Sequence, residues 1–147
     1  MSASLVNETD RAAIIARLRR VTPDHAPLWG TLTAPRMLCH VTDQLRVATG
    51  IIIGRHRDSL MRRTLLKWIV VNTPLKAPPG RVRTVPEMLS TAPTTWGDDL
   101  ATCERLIAEV GVGTANGRHP AFGPLNGREW GRIAWKHFDH HLRQFGE

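Results

Sequence analysis

The sequence predicts an all-α domain of four main helices, with one or two short helical segments between the second and the third. Three observations carry this reading. Apolar residues recur at spacings of three and four in four separate stretches, as amphipathic helices require. No alternating strand pattern extends beyond a few residues. No self-similarity at a period of roughly 20–50 residues marks a repeat array.

The first helix is expected from about Thr9 to Val21. Ile14, Leu18 and Val21 share one face there, while Arg11, Arg17, Arg19 and Arg20 fall mostly elsewhere on the wheel. Residues 1–8 read as a polar, frayed lead-in, and Thr22-Pro23-Asp24 with Pro27 stops the helix. A loop carries Leu28-Trp29-Gly30. Thr33 then reads as an N-cap, with Pro35 in the first turn, where a missing N–H costs nothing. The second helix runs from about Ala34 to Ala48 on an apolar face of Met37, Leu38, Val41, Leu45 and Ala48, and Gly50 or Gly54 ends it.

A third helical stretch is expected from about Ser59 to Val71, carrying Leu60, Thr64, Leu65, Trp68 and Ile69. Pro74, Pro78, Pro79 and Gly80 enforce the loop after it, and Pro86-Glu87-Met88-Leu89 forms a short turn. The next long helix starts near Asp98 with a stripe of Leu100, Cys103, Leu106, Ile107 and Val110, and Gly111, Gly113 and Gly117 close it. The last helix opens on Asn126 as N-cap. Glu129 stands at capping-box spacing, and the helix runs to about Gln144.

Composition narrows the function classes. A chain of 147 residues is one domain, spanning 1–147. Usage of 41% hydrophobic and 22% charged residues excludes a disordered chain. No stretch approaches the ~18 apolar residues of a membrane span, and no secretory signal pattern opens the chain. A soluble, cytoplasmic protein without a membrane partner is expected. Cys39 and Cys103 cannot build a disulfide framework and read as core residues of a reducing compartment. The net charge is +7, from 20 Lys+Arg against 13 Asp+Glu, but it is scattered, and aromatics are only 5%. Nucleic-acid binding is therefore the weaker expectation; Arg17, Arg20, Arg62 and Arg63 gathered on one surface would favour it. No Gly-x-Ser-x-Gly elbow and no phosphate-cradling loop is present.

The chemistry concentrates in the last helix. Its inward stripe is Trp130, Ile133, Ala134, His137, His141 and Gln144 or Phe145, so two histidines stand where a core helix would place leucine. Four residues of helix put both imidazoles on one face, roughly 6 Å apart along the axis, a spacing that suits one metal ion. A hydrogen-bonded or solvated histidine pair is the alternative. His40 lies near the inward face of the second helix, and three neutral imidazoles plus water form an open, catalytic-type site.

These residues carry a family resemblance. The run Trp135-Lys136-His137-Phe138-Asp139-His140-His141-Leu142-Arg143-Gln144 resembles the closing signature of DinB-like metalloproteins. The segment Trp29-Gly30-Thr31-Leu32-Thr33 through Met37-Leu38-Cys39-His40-Val41-Thr42-Asp43 resembles their second-helix histidine motif. The loop His119-Pro120-Ala121-Phe122-Gly123 and the His-His-Leu-Arg-Gln-Phe-Gly ending resemble one subfamily of that group. The resemblance covers about residues 8 to 146. It implies a four-helix bundle with a long connection between helices two and three. It also implies a divalent metal, usually zinc or nickel, held by His40, His137 and His141. Some such proteins transfer a low-molecular-weight thiol, and a homodimer is expected. No further element of this sequence names a thiol.

A three-histidine ion either activates water for hydrolysis or holds a thiolate for S-transfer to a small-molecule substrate. A non-catalytic metal-binding or structural bundle is the other reading. Asp43, three residues after His40, is the candidate base or imidazole-orienting carboxylate, against a surface role. His140, His119 and Arg143 are candidates for supporting the ligands or binding substrate, Arg143 through a carboxylate. Asp139 reads as exposed or paired with an arginine, and Trp29, Trp130 and Trp135 as packing.

Overall fold

The structure is a computed structural model that describes residues 2–76 and 85–147. Pro78-Pro79-Gly80 and the Arg81 and Arg83 pair lie outside the described residues. The chain is all-α, with four long helices: α1 (Glu8–Leu18), α2 (Ala34–Ala48), α4 (Trp96–Gly111) and α5 (Gly127–Gln144). The short α3 (Lys67–Asn72), continuous with a π-helical turn at Arg62–Leu66, and a 3-10 turn at Pro86–Leu89 lie between α2 and α4. β1 (Arg118–His119) and β2 (Gly123–Pro124) form a two-residue antiparallel ladder before α5.

Each long helix starts where its capping chemistry dictates, apart from α2, whose Thr33 N-cap makes no side-chain bond and which opens on Pro35 in its first turn. The Asn7 side chain accepts from the Asp10 amide at α1, and Thr95 accepts from the Asp98 amide at α4. At α5, Asn126 accepts from the Glu129 amide at 3.0 Å and the Glu129 carboxylate accepts from the Asn126 amide at 2.9 Å, completing the expected capping box.

The four long helices pack as a bundle: α2 lies against α4 and α5, and α1 against α4 and α5. Ile14 and Leu18 of α1 meet Leu38, Val41 and Leu45 of α2, Leu106 and Ile107 of α4, and Trp130, Phe138 and Leu142 of α5 in one buried core. The bundle is backed closely at its turns. A Cβ on Gly117 would stand 1.9 Å from the Val47 carbonyl oxygen, so this loop rests on the last turn of α2 with no room for a side chain. The Trp130 indole N–H donates to the Gly117 carbonyl at 2.7 Å and ties α5 to the same point.

Two local expectations are corrected. The lead-in is docked, not frayed: Leu5 is fully buried and its amide donates to the Gly131 carbonyl at 3.0 Å. Gly131 makes this possible, because a Cβ there would meet Ser4 Oγ at 2.6 Å. The third helical stretch does form, but its supposed apolar face is exposed at Leu60, Leu65 and Trp68. It is anchored by polar contacts and at its end: Lys67 pairs with Glu129 of α5 at 2.9 Å, Val71 is buried, and the Lys136 ammonium donates to the Val70 and Thr73 carbonyls. Among the described residues, no helix is long and apolar enough to cross a membrane.

Candidate metal centre

α2 and α5 bring three histidines together. The candidate ligand nitrogens of His40, His137 and His141 all lie within 4.8 Å of one another. His40 is buried and sits on the inward face of α2; His137 and His141 stand on successive turns of α5, as their spacing requires.

The hydrogen bonds decide which nitrogen of each ring faces the centre. The Nδ1 of His40 lies 2.7 Å from the Met88 carbonyl oxygen, that of His137 2.8 Å from Gln44 Oε1, and that of His141 2.8 Å from Gln144 Oε1. All three partners are acceptors, so each Nδ1 carries the hydrogen and each Nε2 presents a lone pair. Gln144 is itself oriented, since its Nε2 donates to the Trp29 carbonyl at 2.8 Å. An N–H given to a carbonyl is the usual way a metal-binding imidazole is held in its tautomer.

The Nε2 of His137 and that of His40 then lie 2.8 Å apart. Two lone pairs at that distance repel unless they share a cation. A proton does not supply it at neutral pH. Burial lowers the pKa of His40, and burial with the neighbouring His40 and His141 holds His137 well below the usual imidazole range. Burial, then His40, pushes His141 down to about 3. The donor set fits a divalent metal ion.

His40 and His141 open onto a cavity of about 590 Å³, whose walls include Thr31, Leu32, Arg36 and Leu89. That volume lies in the range of small-molecule sites.

The remaining candidates are not gathered at the centre. Asp43 is fully buried and accepts from Arg46 Nη1 (2.7 Å), the Thr91 amide (3.0 Å), Thr91 Oγ1 (2.5 Å) and Ser90 Oγ (3.3 Å). None of these partners is an imidazole, and Asp43 is not among the described residues that line the cavity. It pins the segment after the 3-10 turn to α2, and that turn delivers the Met88 carbonyl to His40. Arg143 pairs with Asp139 (3.0 Å), which also receives Arg17 (2.9 Å), and it is not among the described residues that line the cavity. His140 packs edge-on against His141 and Trp29, with ring centroids 5.0 and 6.1 Å away, and backs the centre without being among the converging nitrogens.

His119 anchors its loop. Its Nδ1 accepts from the amides of Ala121 (3.1 Å) and Phe122 (3.2 Å), while its ring stacks on Phe122. Burial lowers its pKa to about 4. Above its ordinary value of 6.5 the ring is neutral whether folded or unfolded and contributes nothing to pH dependence. As pH falls below that value, the unfolded chain takes a proton that the folded chain refuses, so stability is lost down to about pH 4. Asparagine offers an acceptor in place of Nδ1 without titrating. His119→Asn is expected to lose about 2–3 kcal/mol less stability than wild type between pH 7 and about pH 4.5. Urea unfolding at the two pH values reads this; equal losses would reject the role given to His119.

Sequence reasoning missed Gln44 and the Met88 carbonyl. Gln44 had a signal, being one turn after His40 on the same face. A backbone carbonyl from a distant turn leaves none.

Residues 8–147 match the family described as "Protein of unknown function (DUF1569)". The chain belongs to the DUF1569 family. The matched region runs from α1 through α5, so all three histidines and both glutamines lie within the DUF1569 domain. No curated protein and no solved structure matches the chain.

Proposed function

We propose that this is a divalent-metal-binding protein of the DinB-like type, whose three-histidine centre works on a small molecule held in the adjoining cavity. The observation that carries the reading is the pair of Nε2 atoms 2.8 Å apart, with His141 beside them and all three rings held at Nδ1 by side-chain or backbone oxygens. His40, His137 and His141 would hold the ion, with zinc or nickel matching an all-imidazole set. When bound, the ion supplies acidity, bringing the pKa of bound water toward ~7 or keeping a low-molecular-weight thiol as its thiolate.

The chain's own residues do the positioning. Gln44, Gln144 and the Met88 carbonyl hold the imidazoles in one tautomer. Asp43 holds the turn that bears Met88. Among the described residues no carboxylate lines the cavity. This fits chemistry in which the nucleophile is already deprotonated, either hydrolysis or S-transfer. A closed, purely structural metal centre is the second reading, and the open cavity favours the first over it. A basic nucleic-acid module gains little support. Arg17, Arg20 and Arg63 pair with Asp139, Glu147 and Asp58, and Arg62 donates to the Arg57 carbonyl. Exposed Leu60, Met61, Leu65 and Trp68 support pairing of two copies.

The test is the metal content of untagged protein purified without chelator, beside the double variant His137→Ala, His141→Ala. About one zinc, nickel or other divalent ion per chain in the wild type, absent from the variant, is the expected result. A metal-free wild type that also fails to bind added zinc and nickel would overturn the reading.

A further inference from the structure

Among the described residues, the cavity at the histidines is lined by one charged side chain, a solvent-exposed cation without a counter-ion. Arg36 lies one turn before His40 on α2, so both present to the same face, and both line the cavity. Arg36 makes no ion pair or hydrogen bond among the described residues. Arg17, Arg19, Arg20, Arg46, Arg57 and Arg118 each meet a carboxylate within 2.9 Å; what sets Arg36 apart from the likewise unpaired Arg55 and Arg128 is its place on the cavity wall. Two carboxylates that act on the neighbouring Cys39 are held by other groups. Asp43 accepts from Arg46 and Thr91, and Asp99 accepts from the Thr94 amide and hydroxyl. The first turn of α2 bears no acid, and residues 77–84, outside the described set, contain no Asp or Glu.

The cavity lined by Arg36 and the imidazoles also has Leu32 and Leu89 in its walls, with the hydroxyl-bearing Thr31 and Thr33. A guanidinium fork with open donors, an apolar wall and a set of neutral imidazoles select a particular occupant. Such a molecule has an oxyanion at one end, which the fork can bind with two parallel hydrogen bonds. It has an apolar body, and at its other end a reacting group that reaches the histidine centre.

We propose that Arg36 is the anchor for a carboxylate or phosphate group of the substrate, and that the protein acts on small oxyanion-bearing molecules with an apolar middle. For what happens at the histidine end this rests on the metal-centre reading; anion binding at Arg36 does not.

The test therefore uses metal-stripped protein, so that no anion can bind through the metal. Hexanoate, hexyl phosphate and the neutral hexanamide are titrated into wild type, Arg36→Leu and Arg36→Lys, followed by backbone amide NMR. At least one anion is expected to shift the amides of residues 31–34, Arg36 and Leu89 with at least tenfold higher affinity than hexanamide. Arg36→Leu should lose that preference, and Arg36→Lys should keep part of it while losing the fork. Hexanoate binding alone assigns a carboxylate substrate, hexyl phosphate alone a phosphate, and both an anchor that accepts either. Hexanamide binding as tightly as the anions, no binding by any of the three, or an anion preference that survives Arg36→Leu would each overturn the proposal. Because Arg36 has no side-chain partner to lose, the leucine variant is expected to keep the wild-type amide spectrum. Failure of the metal assay leaves these titrations unchanged, so the two readings fail separately.

Discussion

Alanine at His137 is expected to remove the stabilisation that zinc or nickel gives the wild type. A ligand that binds only the folded state at 100 times its Kd contributes about 2.7 kcal/mol. For a domain of this size that corresponds to a rise in Tm of roughly 5–10 °C. His137 is the ring through which the centre closes: its Nε2 faces that of His40, and its Nδ1 is held by Gln44. Its loss leaves two imidazoles on different helices and removes one of three metal bonds. His137→Ala should then show a metal-induced shift near zero at the same metal concentration.

The metal-free proteins add a second readout. Truncating a buried side chain ordinarily costs about 2–5 kcal/mol. Here the same change also relieves the lone-pair repulsion between His137 and His40. The metal-free variant is therefore expected to fall short of that full cost. Thermal unfolding with and without metal checks both points. A variant that shifts as far as wild type would show that the ion binds elsewhere.

The largest purely structural effect is expected at Gly127. This residue opens α5, and a Cβ placed on it would stand 1.7 Å from the Gly113 carbonyl oxygen and 2.9 Å from the Thr114 amide nitrogen. Both are backbone atoms, so no side chain can swing aside. Gly113 is itself fixed by its left-handed φ of +86° just after α4. Gly127→Ala must push the start of α5 away from the end of α4, and α5 carries Trp130, His137 and His141. Overpacking ordinarily costs about 1–3 kcal/mol; because the clash is with backbone, about 3 kcal/mol or more is expected.

Gly97 provides the control. It lies in the first turn of α4, and a Cβ placed on it would meet nothing within 4 Å, so Gly97→Ala should be neutral or stabilise by up to about 1 kcal/mol. Urea midpoints of the two variants against wild type decide the matter. Equal midpoints for Gly127→Ala and wild type would mean that the contact between α4 and α5 is looser than these distances require.

The long helices were legible because their cause is local. Period, caps and breakers lie within a few residues of one another, and α2 begins and ends where the pattern of Thr33, Pro35 and Gly50 places it. The stretch around Leu60, Leu65 and Trp68 shows the limit of that reasoning. Its helical period is real, yet the face it marks is exposed, because a period states which residues share a side and not whether anything covers it. The docked Leu5 shows the same limit from the other side: its cover comes from Gly131, far along the chain.

For the site, the sequence by itself determined the three histidines. Two share a helix face by spacing, and the third occupies the inward side of a helix that a bundle can press against the last one. What Asp43, His119, His140 and Arg143 do was decided only by the tertiary structure. Each is a polar group whose role depends on its nearest partner: Thr91 and Arg46 for Asp43, two loop amides for His119, Trp29 and His141 for His140, Asp139 for Arg143. The same holds for the imidazole tautomers, which rest on a glutamine across the helix interface, a glutamine one turn on and a carbonyl 48 residues from His40. Hydrophobic periodicity is additive along a helix and survives in one dimension. A hydrogen bond is made between two particular atoms within about 3 Å, and which atoms meet at that distance is settled only when the helices have packed.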